Sequence, residues 1–133
     1  MPRKPDLRLA GLGVDIVSAS RAARFLEGRK TEALAHVLSK GELKRFSRNP
    51  ARFEFSKVFT AKEAFFKASQ CPPGGVYAFS QLEVKLLPND GFEIEWLKSG
   101  SRQTGSKARG SHFVSEAYVG AEIILWESPR KIP

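Results

Sequence analysis

The chain holds one cysteine, Cys71, in 133 residues, so it can build neither an internal disulfide nor a cysteine-rich zinc site. It also lacks any apolar run near the roughly 20 residues that a membrane helix needs. The start, MPRKPDLRLAGLGVDIV, is basic, but its apolar stretch is short and carries Asp15, so it reads as neither a signal peptide nor a span. Cytoplasmic residence is the expectation. No internal repeat or interdomain linker is visible. What remains is a chain of single-domain length whose 41% apolar content and ten Phe suffice for a packed core.

Acidic residues are in short supply. The formal net charge is +8, which favours polyanionic partners: nucleic acid, a phosphorylated cofactor or an acidic protein. Much of this charge is local, since residues 21–52 carry nine Lys/Arg against Glu27, Glu32 and Glu42. That stretch reads either as a solvated helical surface or as a docking face for an acidic partner.

Residues 9–17 read as a strand. Residues 20–28 read as a short helix with Ser20 as N-cap and Gly28 as its end. Residues 31–38 look helical, and Ser39-Lys40-Gly41-Glu42 matches the capping box of a further helix. The longest helix is predicted over about 51–70, with a stop at 71–75. Residues 81–87 and 92–98 alternate apolar and polar around Pro88-Asn89-Asp90-Gly91, a hairpin signal. Residues 99–111 have no large apolar side chain and read as a mobile basic loop, and 112–126 as one last long strand. The pattern predicts an α+β domain over 9–127, with a long helix and short helices packed on one face of a mainly antiparallel sheet. A flexible stretch, 1–8, and a tail, 128–133, flank it.

Within the long helix, Phe55, Val58, Phe59, Phe65 and Phe66 share a stripe, and Lys62 falls in its middle. An unpaired ammonium in a core is costly, so either Lys62 snorkels out or the helix borders a polar cleft there. Glu63 lies on the stripe's edge, one turn before Lys67. These three residues fit either a surface cluster with an i,i+4 pair or a phosphate–magnesium site. In the second reading lysines balance phosphate charge and one more carboxylate is wanted. Asp15, inside an otherwise apolar strand, is the candidate, unless it merely caps the strand end.

GLGVDIV followed by FTAKEAFFKA resembles the 4′-phosphopantetheinyl transferases of the small bacterial type, the holo-acyl-carrier-protein synthases. VLSKGELKRF, GGVYAFSQLEV and AYVGAEIIL extend the resemblance over about residues 9–126. The resemblance implies transfer of the phosphopantetheine group of coenzyme A to a serine of an acidic acyl carrier protein. It implies Asp15 and Glu63 as Mg²⁺ ligands, and Glu63, Lys67 and Asp15 together as the catalytic residues. It further implies Lys62 and Lys67 on the phosphates, Arg21 and Arg24 as the carrier-docking residues, and a homotrimer with sites between subunits. Two departures stand out. Val58 occupies a position that is usually basic, with Lys57 one place earlier as its substitute. His112, the candidate for a cofactor-binding histidine, falls two residues early, with Val114 in the usual place. The rival readings are a basic nucleic-acid-binding module and a catalytically weak member of the same family.

Overall fold

The computed structural model describes residues 8–27, 31–69, 79–98 and 101–127. Strand β1 (Arg8–Ser18) leads into α1 (Ala19–Leu26), α2 (Thr31–Leu34), α3 (Lys40–Arg48) and the long α4 (Phe55–Ser69). A short 3₁₀ turn (Phe79–Gln81) then opens β2 (Leu82–Leu86), β3 (Gly91–Lys98), β4 (Ser101–Val114) and β5 (Tyr118–Glu127). The strands form one antiparallel sheet in the order β1-β5-β4-β3-β2, with α4 packed on one face. The α+β reading therefore holds.

The local signals explain most element ends. Ser39 and Glu42 form the reciprocal capping box that starts α3. Asn89 and Asp90 take φ of 60° and 61°, the left-handed pair that a tight two-residue hairpin requires. The N-cap of α1 is Ser18 rather than Ser20, its Oγ accepting from the Arg21 N–H. The predicted helix 31–38 shortens to one turn, and the long helix starts at Phe55 after a turn over 50–52. Gly28 and the 71–75 stop lie outside the described residues.

Two expectations fail. Residues 101–111, predicted as loop, belong to β4, and the single strand over 112–126 is in fact a hairpin of β4 and β5. The small residues that suggested a loop are required by packing. Ala108 is buried, and a Cβ at Gly110 would stand 2.4 Å from the ring of Phe92. The hairpin closes at Ser115, whose N–H donates to the Tyr118 carbonyl and whose Oγ accepts from the Tyr118 N–H.

The glycines of GLGVD have a similar cause. A Cβ on Gly11 or Gly13 would lie 1.9 or 1.8 Å from the carbonyl oxygens of Ala68 and Ala64. Only glycine lets α4 press its backbone onto β1 there. That contact brings the second half of α4 against the strand that carries Asp15.

The opposite face of the sheet carries no helix among the described residues. Leu12, Val14 and Ile16 of β1, with Ile124 and Trp126 of β5, present their side chains there, each at least 43% exposed.

Candidate active site

Asp15 lies on the α4 side of β1, between the outward-facing Val14 and Ile16. Its Oδ1 accepts from Lys67 Nζ at 2.9 Å, and the same ammonium reaches the Val14 carbonyl at 3.4 Å. Glu63 stands one turn before Lys67 on α4. Burial first, and the neighbouring Asp15 charge second, push its carboxyl above the usual range, with Lys67 opposing them. The hydrogen bond to Asp15 raises the Lys67 ammonium in turn. Asp15 and Glu63 border a cleft of about 550 Å³ together with Arg21, Phe59 and Tyr118.

This is a frustrated arrangement. The Asp15 charge and burial disfavour the ionised form of Glu63, and one half-exposed lysine compensates only in part. A cation between them would relieve the repulsion. Carboxylate oxygens are the hard donors that Mg²⁺ prefers, and Mg²⁺ commonly takes only one or two from protein. Asp15 and Glu63 thus fit the ion, although no group of three or more acidic, His or Cys residues is found among the described residues.

Lys62, Lys57 and His112 go elsewhere. Lys62 neither snorkels nor faces the cleft, which corrects both alternatives and removes it from phosphate contact. Its side chain is wholly enclosed. Its Nζ meets Glu42 Oε1 at 2.5 Å and the carbonyls of Val37 and Phe79 at 2.8 Å each. Burial lowers its pKa and Glu42 opposes that. With three oxygens around it, we hold that it stays charged. Glu42 was visible in the sequence as half of a capping box, but nothing there indicated that its carboxylate also receives Lys62 and the Val84 N–H.

Lys57 and His112 come together, but away from Asp15. Lys57 pairs with Glu54 at 3.4 Å and Asp90 at 3.3 Å, at the start of α4. His112 Nε2 sits 2.8 Å from the Lys57 carbonyl, so that nitrogen carries the proton and donates. The ring packs on Phe92, and its Nδ1 is buried without a partner among the described residues. Burial pulls the His112 pKa down. Register aligns Asp15, Ala121 and His112 in one row across β1, β5 and β4, which puts His112 about 10 Å from Asp15. Arg21 and Arg24 are exposed on α1, Arg21 at the cleft.

A family model described as the 4′-phosphopantetheinyl transferase superfamily matches residues 11–121. The chain belongs to that superfamily. Within it, the chain is 30% identical over 120 residues to the holo-[acyl-carrier-protein] synthase of Anoxybacillus flavithermus, covering 88% of this chain and 95% of that one. Among solved structures, holo-ACP-synthase from Plasmodium yoelii matches with a TM-score of 0.68 at 20% identity, over 92% of this chain and 98% of that one. The Helicobacter pylori enzyme in complex with coenzyme A matches with a TM-score of 0.58 at 17% identity, over 87% and 99%. At such identities the structural likenesses establish the fold alone. Both the GLGVD strand and the AKEAFFK helix turn lie inside the matched segment.

Proposed function

We propose that the chain transfers 4′-phosphopantetheine from coenzyme A to a serine of an apo acyl carrier protein, releasing adenosine 3′,5′-bisphosphate. The observation that carries this reading is the Asp15–Glu63–Lys67 cluster, built from the two motifs that the family resemblance rests on and opening on a cleft. The serine oxygen bonds to the phosphorus that bears pantetheine, and the bond from that phosphorus to the bridging oxygen of the pyrophosphate breaks. Mg²⁺ held by Asp15 and Glu63 would supply charge neutralisation at the pyrophosphate. Lys67, raised in pKa and half-exposed, keeps its proton and faces the developing negative charge of the leaving group. Glu63, at the cleft beside Asp15, is the group that takes the serine proton in this reading, directly or through an ordered water. Arg21 and Arg24 on α1 supply basic contacts to an acidic carrier at the cleft mouth.

The apolar face of β1 and β5, uncovered among the described residues, supports self-association, because a patch of that kind marks an interaction surface, and the family resemblance implies three copies. Light scattering should show a single species of three chains, and I16E/I124E should reduce it to a monomer. Cytoplasmic residence belongs to the same proposal.

Intact-mass measurement tests the activity. An acidic apo acyl carrier protein, incubated with this protein, coenzyme A and Mg²⁺, should gain the mass of one phosphopantetheine, and EDTA should prevent the gain. E63Q should reduce the rate by a factor of about 100 or more, the scale of losing a main electrostatic contributor. Mg²⁺ should raise the melting temperature of the wild type but not of E63Q. A variant of near-normal rate would remove Glu63 from the metal site.

A further inference from the structure

A second basic surface lies on α3, across the first turns of α4 from the cleft. Arg45 and Arg48 stand one turn apart on α3. The chain then bends at Asn49, and the Arg52 N–H returns to the Asn49 carbonyl at 3.1 Å, bringing Arg52 alongside them. The three exposed guanidinium groups rim a groove of about 280 Å³ floored by Val58, Val84 and Leu86.

Arg45 has an evident structural task. With Glu42 it covers the free edge of β2, Arg45 donating to the Val84 carbonyl at 3.2 Å while Glu42 accepts from the Val84 N–H. Arg48 and Arg52 have none: among the described residues neither forms an ion pair or a side-chain hydrogen bond. The acid at the groove, Glu54, is engaged with Lys57.

A basic rim around an aliphatic floor matches a protein segment that carries carboxylates on both sides of an apolar side chain. Guanidinium forks pair with carboxylates through two parallel hydrogen bonds. The volume admits one or two side chains and falls below the roughly 300–1,000 Å³ usual for small-molecule sites. Single-stranded nucleic acid would call for free aromatic faces on which bases stack. The aromatic residue here, Phe53, already meets the ring of Phe46 in an edge contact.

Position ties the groove to the reaction. Val58 faces the groove, while Phe55 and Phe59 of the same helix turns face the cleft. The two sites are therefore separated by about one helix diameter, ~10 Å. A small acidic domain, with a radius of gyration near ~13 Å, spans that distance.

We propose that this groove is a second docking surface for the acidic carrier protein, with Arg48 and Arg52 pairing to its carboxylates while the cleft receives its serine. The inference rests on the transferase reading and adds α3 to the α1 contact. The test compares wild type with R48E/R52E, and with R48Q/R52Q as the milder pair, in steady-state transfer to an acidic apo acyl carrier protein. KM for the carrier should rise about tenfold or more in the Glu pair and less in the Gln pair. The rate at saturating carrier and the KM for coenzyme A should stay within about twofold, and the salt dependence should flatten. An unchanged KM for the carrier would overturn the proposal. If the wild type transfers nothing, the transferase reading fails separately. Fluorescence anisotropy of labelled apo carrier then decides the inference: binding lost in R48E/R52E upholds it, whereas equal binding, no binding, or binding of duplex DNA alone overturns it.

Discussion

Lys62 and Glu63 are neighbours on α4 and carry opposite charges, yet their surroundings differ in kind. Lys62 is enclosed and fully satisfied: one carboxylate and two carbonyls take its ammonium, and the same Glu42 carboxylate closes the N-terminus of α3 and the edge of β2. Glu63 is half-buried beside a second carboxylate, with one exposed lysine to share. The first charge has every hydrogen bond that it needs and holds elements together. The second is held where the fold alone leaves it unfavourable, which is the condition that a bound cation would relieve. On this helix, the extent to which a charge is satisfied separates structure from chemistry better than residue type does.

Breaking the satisfied side should have the largest effect on stability. E42Q leaves the Lys62 ammonium without its counter-charge and sets an amide N–H against the Val84 N–H, so it should cost about 3–5 kcal/mol in urea unfolding. E42L/K62M, which removes both charges, should cost less than E42Q alone. If E42Q unfolds like the wild type, the buried pair is not what holds α3 and β2 to α4.

The seam between the two sides comes next. G13A places a methyl within 1.8 Å of the Ala64 carbonyl oxygen, so β1 and α4 must separate. The loss should be about 1–3 kcal/mol, and transfer should fall with it because Asp15 and Glu63 move apart. Stability lost with full activity would uncouple the seam from the site.

The smallest effect tests the frustrated side directly. A carboxyl whose pKa is higher in the fold than in the unfolded chain keeps its proton longer in the fold. Its contribution to stability therefore falls as pH rises from the usual Glu range through the raised value. In Mg²⁺-free solution at neutral pH, E63Q should melt higher than the wild type, on the order of 1 °C. That gain should vanish below the usual Glu range. A variant that melts lower at neutral pH would show that Glu63 is satisfied after all.

Much of this was legible from residue order. The capping box of α3, the Asn89-Asp90 turn and the strand–helix alternation each have a local cause, and each formed where that cause lies. Asp15 and Lys62 stood out because a charge in an apolar pattern demands a reason. The pattern could not say which reason applied, and the two residues received opposite ones. Residues 101–111 read as loop but form strand for a related cause. Small residues signal flexibility in an isolated segment, but Ala108 and Gly110 are small because Phe92 and the neighbouring strands leave no room.

By itself, then, the sequence determined what local chemistry can determine: the elements and turns up to β3, the packing face of α4 and the pair of motifs that carry the family likeness. Tertiary structure decided which charges meet. The partner of Lys62 lies 20 residues away and that of Lys67 52 residues away. Whether a charge is enclosed or left at a cleft depends on elements that arrive from elsewhere in the chain, and periodicity along one helix holds no record of them.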